Sequence, residues 1–311
     1  MNDNTINPFN ELYVTETVPS QDFVRLFSPV LIKDALPLFQ PGNVVVKGVQ
    51  GSGKSMLLNL LKPEIRIAYA KAGMDLPLPR KLSRFIGAGI NFIRSAAIDF
   101  GQRATDPDQA TDIQRLPLYF GDFFNYWILA DLLKSVETLY REFGGEGPNN
   151  LGIQADPSTL DDFARKLVTD PCWLGYLSPA VDYKSLRGRI EERIGTYRRF
   201  LNFSLDALPV EIKRTTTPVG EPISHFTECL RQCGIVPREV PIFIRIDQYE
   251  ELCRLEDWSK DLGLKYRRVI NKALGLRDPR VSYRASSGMF RQFFIGPTGP
   301  FWPDSPSLLT K

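Results

Sequence analysis

The sequence predicts an α/β fold built on a central parallel sheet, with a largely helical insertion. Two segments carry that prediction. Residues 48–55 read Gly48-Val49-Gln50-Gly51-Ser52-Gly53-Lys54-Ser55, a complete G-x-x-x-x-G-K-S loop that follows the β-branched run Val44-Val45-Val46 directly. Residues 241–247, Pro241-Ile242-Phe243-Ile244-Arg245-Ile246-Asp247, form a mostly apolar run closed by a carboxylate. A strand that is apolar on both faces belongs inside a parallel sheet, and an acid at its carboxyl end stands where such sheets bind ligands. Together the two segments are the marks of a P-loop NTPase.

The loop composition suits a polyphosphate. Without Cβ atoms at Gly48, Gly51 and Gly53, the backbone can wrap a dense negative charge with its N–H groups turned inward. Lys54 would reach β- and γ-phosphate oxygens, and the Ser55 hydroxyl would be a ligand of Mg²⁺. Gln50, Ser52 and Met56 complete the expected nucleotide-contacting stretch. A helix-compatible segment, 55–62, continues from the loop to Pro63 and adds its positive dipole end. The expected cofactors are ATP and Mg²⁺; no N-K-x-D base-reading motif points to GTP.

Size and charge bound the rest. A chain of 311 residues, 43% hydrophobic and 24% charged, holds one large domain or two ordinary ones. A net charge of +3 neither demands nor excludes a nucleic-acid partner. The four cysteines, Cys172, Cys229, Cys233 and Cys253, have no framework spacing, and Met1-Asn2-Asp3-Asn4 lacks the regions of a signal peptide. A cytoplasmic setting is expected. No apolar stretch approaches the roughly 20 residues of a membrane helix; the nearest, 85–100, contains Asn91 and Arg94.

Ahead of the loop, Asn7-Pro8-Phe9-Asn10 reads as a turn, and Phe23, Leu26, Phe27, Val30 and Leu31 recur at helical spacing over 20–39. That segment either covers a nucleotide base or packs on the core. Residues 63–114 are less orderly, with Lys71, Arg80, Lys81, Arg84, Arg94 and Arg103 among apolar residues, and a solvated helix face is favoured over a nucleic-acid surface. Leu116-Pro117-Leu118-Tyr119-Phe120 reads as a short buried strand. A helix follows from Phe123 to Phe143, its Trp/Phe stripe expected in the core, and stops at Gly144-Gly145. From 158 to 203 the pattern stays helical. Arg187, Arg189, Arg193, Arg198 and Arg199 there, balanced in part by Glu191 and Glu192, read as a charged outer face. Another helix is expected from Glu221 to Cys233.

The second signal, 241–252, has the form of a Walker B segment. Asp247 would hold Mg²⁺, and Glu250 or Glu251 would orient or deprotonate the attacking water. Arg245 shares a side with Asp247 by the period-two rule, so it must meet a carboxylate or emerge to solvent. A helix over 266–275 leads to a strand at 281–285, with Arg284, Ser286 and Ser287 at its exit; that exit is either where a polar group such as Arg284 senses the γ-phosphate or an ordinary strand-end turn. His225, Cys229 and Cys233 are ligand types at i, i+4 and i+8. A straight helix sets the first and third about 12 Å apart, so they read as small residues facing the sheet and no metal is assigned to them.

The G-V-Q-G-S-G-K-S loop, the N-P-F-N opening and above all Asp247-Gln248-Tyr249-Glu250-Glu251-Leu252 resemble the AAA+/STAND superclass of P-loop ATPases. Closest in pattern are bacterial proteins similar to origin-recognition initiator ATPases. The resemblance implies a five-stranded core whose phosphate-loop strand is central, flanked by the Walker B and sensor strands. It further implies ATP-driven switching or assembly, a homo-oligomer or partner subunit that supplies an arginine finger, DNA as a candidate partner, and defence against phage or plasmids as a setting. Two departures stand out. The interval from Lys54 to Asp247 exceeds what an AAA+ core needs, and Gln248 occupies the position where most such proteins carry the catalytic glutamate. The expected division is an N-terminal segment at 1–40, a first core part at 41–144, a helical insertion at 145–220 and a second core part at 221–311, with no room for a C-terminal lid. A nucleotide-binding scaffold with little hydrolysis and a phosphotransferase are the alternative functions.

Overall fold

The computed structural model describes residues 18–49, 51–104, 113–145, 147, 149–258 and 260–287, and the backbone of a short antiparallel pairing of Ile295–Gly296 with Gly299–Pro300. Strands β1 (Val44–Lys47), β2 (Ile86–Asn91), β3 (Ile242–Asp247) and β4 (Ser282–Ser287) form one parallel sheet in the order β1-β4-β3-β2. The fold is the α/β, central-sheet fold of a P-loop NTPase. All six positions of β3 are buried, as its apolar run requires.

The order differs from the expectation in one respect. β4 lies between β1 and β3, so the acid-bearing strand is not the neighbour of the loop strand, and among the described residues β1 is an edge rather than the centre. Ala285 shows why: it registers with Val45 on one side and Ile246 on the other. The consequence is local and chemical, because the end of β4 now stands between the loop and Asp247.

Helix α1 (Ser20–Leu26) and the four-residue α2 (Ile32–Ala35), joined by 3₁₀ turns, replace the single helix expected over 20–39. Phe23, Phe27, Ile32, Leu38 and Phe39 pack on one sheet face with the helices after the loop, α3 (Lys54–Asn59) and α4 (Pro63–Lys71). Core packing, one of the two roles open to this segment, is served by these side chains. The loop helix closes at Asn59, short of the expected residue 62, and Pro63 begins α4, since a first-turn proline lacks only an N–H that has no helical partner.

The opposite face is covered by α6 (Leu116–Phe143), α8 (Tyr183–Leu201) and α10 (Glu221–Gln232), with α5 (Asp99–Ala104), α7 (Pro157–Leu167) and α9 (Val210–Arg214) around them. The strand expected at 116–120 is instead the first turn of α6, where Pro117 is again tolerated. The helix is apolar on nearly every side there, with Tyr119, Phe120, Phe123 and Phe124 fully buried, and periodicity cannot tell such a run from a strand. α6 also covers the outer edge of β2. Asp131 accepts the Gly89 N–H at 2.7 Å and Ser135 donates to the Gly87 carbonyl at 2.9 Å, so side chains of α6 take up two of the edge's ladder groups. Glycine is required at position 87, where a Cβ would sit 1.9 Å from the Leu61 carbonyl oxygen.

Two arginines expected at the surface are inside. Arg103 is 2% exposed, donates to the Leu205 and Asp206 carbonyls and stacks on Phe200 and Phe203. Arg193 donates to Asp122 at 2.7 Å with neither side chain exposed. Asp122 further accepts from the Tyr197 hydroxyl (2.8 Å) and from the Thr217 N–H and hydroxyl (both 2.7 Å). This network ties α6 to α8 and to the chain entering α10. A buried charge is tolerated only when paired and hydrogen-bonded, and this one is both. The segment 145–220 is helical, yet it packs into the same core as α6 and the sheet.

Candidate phosphate and cation site

β1 delivers the chain to the loop, and the loop turns on glycine geometry. Gly51 and Gly53 have φ of +83° and +82°, the left-handed region that L side chains rarely adopt. Gly53 caps α3 directly, so the helix N–H groups open toward the loop with no side chain in the way. At Gly48 a Cβ would lie 2.5 Å from the Ser52 hydroxyl oxygen.

Lys54 is 8% exposed, and its ammonium donates to the Gly48 and Val49 carbonyls at 2.9 Å each. The Ser52 hydroxyl is buried with no hydrogen-bond partner among the described residues. A buried, unpaired hydroxyl inside a glycine cradle beside a lysine is a donor set awaiting an anion, so the residues present fit a phosphate chain.

Ser55, in the first turn of α3, donates to Asp247 Oδ1 at 3.3 Å across 192 residues of sequence. That same oxygen accepts the Ser286 hydroxyl at 2.7 Å and the Gln248 N–H at 3.0 Å, and Gln248 N–H is shared with Ser286 at 3.0 Å. Two hard oxygen ligands, one anionic, thus face each other at the loop, which suits Mg²⁺ with its remaining positions on water and phosphate. Gln248 takes φ of +60°, an unfavourable conformation for a residue with a side chain, and it turns the chain away immediately after the acid.

The other expected site residues lie at varied places. Glu250 is half-buried in the turn after β3, and Glu251 opens α11 (Glu251–Trp258) at 8% exposure with Arg254 donating to it at 2.8 Å. Both line a broad cleft of about 2930 Å³, which is not lined by Lys54, Ser55 or Asp247. Met56 packs against the α1–α4 core. Gln50 lies outside the described residues, as does the Asn7-Pro8-Phe9-Asn10 turn.

Arg284 does not point at the loop. Fully buried, it donates to the Leu38, Gln40 and Gly42 carbonyls and to Tyr283 O at 2.9 Å, and it stacks 4.2 Å from the Phe243 ring centroid. It fastens the turn before β1 to β4. The polar group that β4 does bring to the acid is Ser286, two residues on and on the same side of the strand.

Arg245 resolves onto a carboxylate: its guanidinium is 3.5 Å from Asp131. Burial, then the charges of Arg245 and Arg94, push nearby Lys62 down to about 8, against the opposing pull of Asp247. Positive charge thus gathers near the buried Asp247.

His225 and the cysteines also part company with the helical-face reading. His225 Nδ1 lies 2.7 Å from Asp170 Oδ2, while the Cys229 thiol contacts the Phe163 carbonyl at 4.0 Å.

A family model described as ORC-CDC6-like matches residues 7–254. No curated protein and no solved structure matches the chain.

Proposed function

We propose that this chain, which belongs to the ORC-CDC6-like family, works as an ATP-operated switch or assembly ATPase. Membership of that family supports an AAA+ P-loop ATPase that binds ATP and assembles into oligomers. The single observation that carries the finer reading is the meeting of Ser55, Asp247 and Ser286 at one carboxylate oxygen.

In this reading Gly48, Gly51, Ser52 and Gly53 cradle the phosphates, and Lys54 leaves its loop carbonyls to bind β- and γ-oxygens. Mg²⁺, when bound, neutralises charge on those phosphates. Ser55 and Asp247 hold it. Asp247 Oδ1 accepts three hydrogen bonds and cannot keep them all while serving a cation, so Ser286 and the Gln248 turn register nucleotide state. Glu250 or Glu251, which follow the acid-bearing strand closely, is the water-orienting base, and Glu251 holds an ion pair with Arg254 that it would have to release. Residues 145–220 serve as a helical insertion that stiffens the sheet.

Nucleotide binding by titration calorimetry and phosphate release test the proposal. Lys54→Ala should abolish ATP binding, and Glu250→Gln or Glu251→Gln should spare binding and stop turnover. Full turnover in both Glu250→Gln and Glu251→Gln removes the base assignment. A second reading, a scaffold that retains nucleotide with little hydrolysis, is favoured by Gln248 at the usual glutamate position and by the Arg254–Glu251 pair; stoichiometric bound ATP without phosphate release identifies it. Oligomerisation with a partner's arginine finger, DNA binding and a defence role extend the proposal. ATP-dependent sedimentation, DNA retention and phage plaque counts with native and Lys54→Ala chains test them. Among the described residues no helix is long and apolar enough to cross a membrane, and the working location proposed is the cytoplasm.

A further inference from the structure

We propose that Asp170, Cys172 and His225 form a binding site for a divalent transition metal of the zinc type, with one coordination position left for water. One ligand atom from each lies within 4.8 Å of the other two. Carboxylate oxygen, thiolate sulfur and imidazole nitrogen are the donors zinc takes, and three protein ligands leave the fourth tetrahedral position open. Bond lengths of about 2.0–2.3 Å to such donors put them roughly 3.3–3.7 Å apart, so the 2.7 Å His225–Asp170 contact has only to widen slightly for an ion to enter.

The site is prepared by its surroundings. Asp170 Oδ1 accepts the Cys172 N–H at 2.9 Å and so caps the 3₁₀ turn Pro171–Trp173, which leaves Oδ2 for a second partner. Trp173, fully buried, donates its indole N–H to the Leu167 carbonyl at 2.9 Å and anchors that turn. His225, the only histidine in the chain, comes from α10, whose Phe226 packs edge-on against Phe163 of α7. Two rigid pieces of backbone thus present the donors, 55 residues apart in sequence. All three residues are partly accessible, which gives an ion its entry path.

A hydrogen-bonded His–Asp pair alone would account for two of these residues. The Cys172 thiol, hydrogen-bonded to the same Asp170 carboxylate, adds a soft donor within reach of both. Binding is balanced as an exchange: the Cys172 thiol proton leaves for solvent, His225 shifts its proton from Nδ1 to Nε2, and the cation takes both vacated lone pairs. The joint between the α7–α8 connection and α10 would then be stapled by metal.

The test uses the full chain, stripped with chelator, incubated with Zn²⁺ or Co²⁺ and desalted. Expected are one retained ion per chain and, with Co²⁺, a thiolate-to-cobalt charge-transfer band. Cys172→Ser should lose the band, Cys229→Ser should keep it, and His225→Ala should weaken Zn²⁺ binding by tenfold or more. Zn²⁺ should raise the Tm of the native chain and leave that of Cys172→Ser unchanged, with circular dichroism of the metal-free variants as the folding control. Asp170→Asn gives a second route to the same loss if Cys172→Ser misfolds. Failure of the native chain to retain stoichiometric metal, or a band that survives Cys172→Ser, overturns the proposal.

Discussion

Removing the Asp122 carboxylate tests how the helical layer is held. In Asp122→Leu the Arg193 guanidinium stays fully buried and loses its counter-ion, while the Tyr197 hydroxyl and the Thr217 N–H and hydroxyl lose an acceptor at 2.7–2.8 Å. Breaking one partner of a buried pair costs about 3–5 kcal/mol, because a charge remains in low dielectric without compensation. Arg193 keeps its bonds to Thr215 Oγ1 and the Thr215 carbonyl, both 2.8 Å, which favours the lower end of that range. Against a total stability of roughly 5–15 kcal/mol this is a large fraction, and at about 2–4 °C per kcal/mol it lowers Tm by roughly 6–12 °C. Urea unfolding followed by circular dichroism and tryptophan fluorescence measures it. The double variant Asp122→Leu/Arg193→Met removes both charges and should recover more than half of the loss, since apolar replacement of a buried pair is often neutral. A single-variant cost below about 1 kcal/mol, or a double variant no more stable than the single, would refute the reasoning.

Three further outcomes are expected. Ser286→Ala removes the shortest bond to Asp247 Oδ1 and should cut Mg²⁺-dependent ATP turnover by about tenfold, with Lys54-dependent binding retained; unchanged turnover speaks against Ser286 as a positioning residue. Arg284→Lys cannot reach the Leu38, Gln40, Gly42 and Tyr283 carbonyls from one ammonium, so it should cost about 2–4 kcal/mol in urea unfolding while the folded protein still binds ATP. Lost ATP affinity with stability intact would instead make Arg284 a nucleotide contact. Folded Lys62 gives up its proton near pH 8 and the unfolded chain near 10.5, so in that window the unfolded state holds the extra proton and stability rises with pH. Lys62→Met should flatten this rise and stabilise the protein at pH 7 by up to about 3 kcal/mol; a stability–pH curve identical to that of the native chain contradicts the assignment.

What could be read from the sequence is what short stretches of chain encode by themselves. The loop glycines, Lys54 and Ser55 form one contiguous unit, and the β3 run ending in Asp247 is unambiguous once that loop exists. β2 was hidden because Gly87 and Gly89, small for packing reasons, break the β-branched signature of a strand. The start of α6 was hidden because it is apolar all round. Arg103 and Arg193 look like surface charge in a sequence and Arg284 like a phosphate sensor, and only Asp122 and distant carbonyls make them interior groups. The same holds for Ser286 and for the approach of His225 to Asp170, which depend on strand order and helix packing across tens to hundreds of residues. The one available signal for Ser286 was its place at a strand exit, two residues beyond Arg284.

The most direct test of the shared cation is a double-mutant cycle on ATP affinity, measured by titration calorimetry with and without Mg²⁺ for the native chain, Ser55→Ala, Asp247→Asn and the double variant. Each single variant should lose most of the Mg²⁺-dependent gain in affinity, and the double variant should lose little more than either. A Mg²⁺-dependent gain that persists in Asp247→Asn, or two losses that simply add, would contradict a metal held jointly by the loop serine and the β3 aspartate.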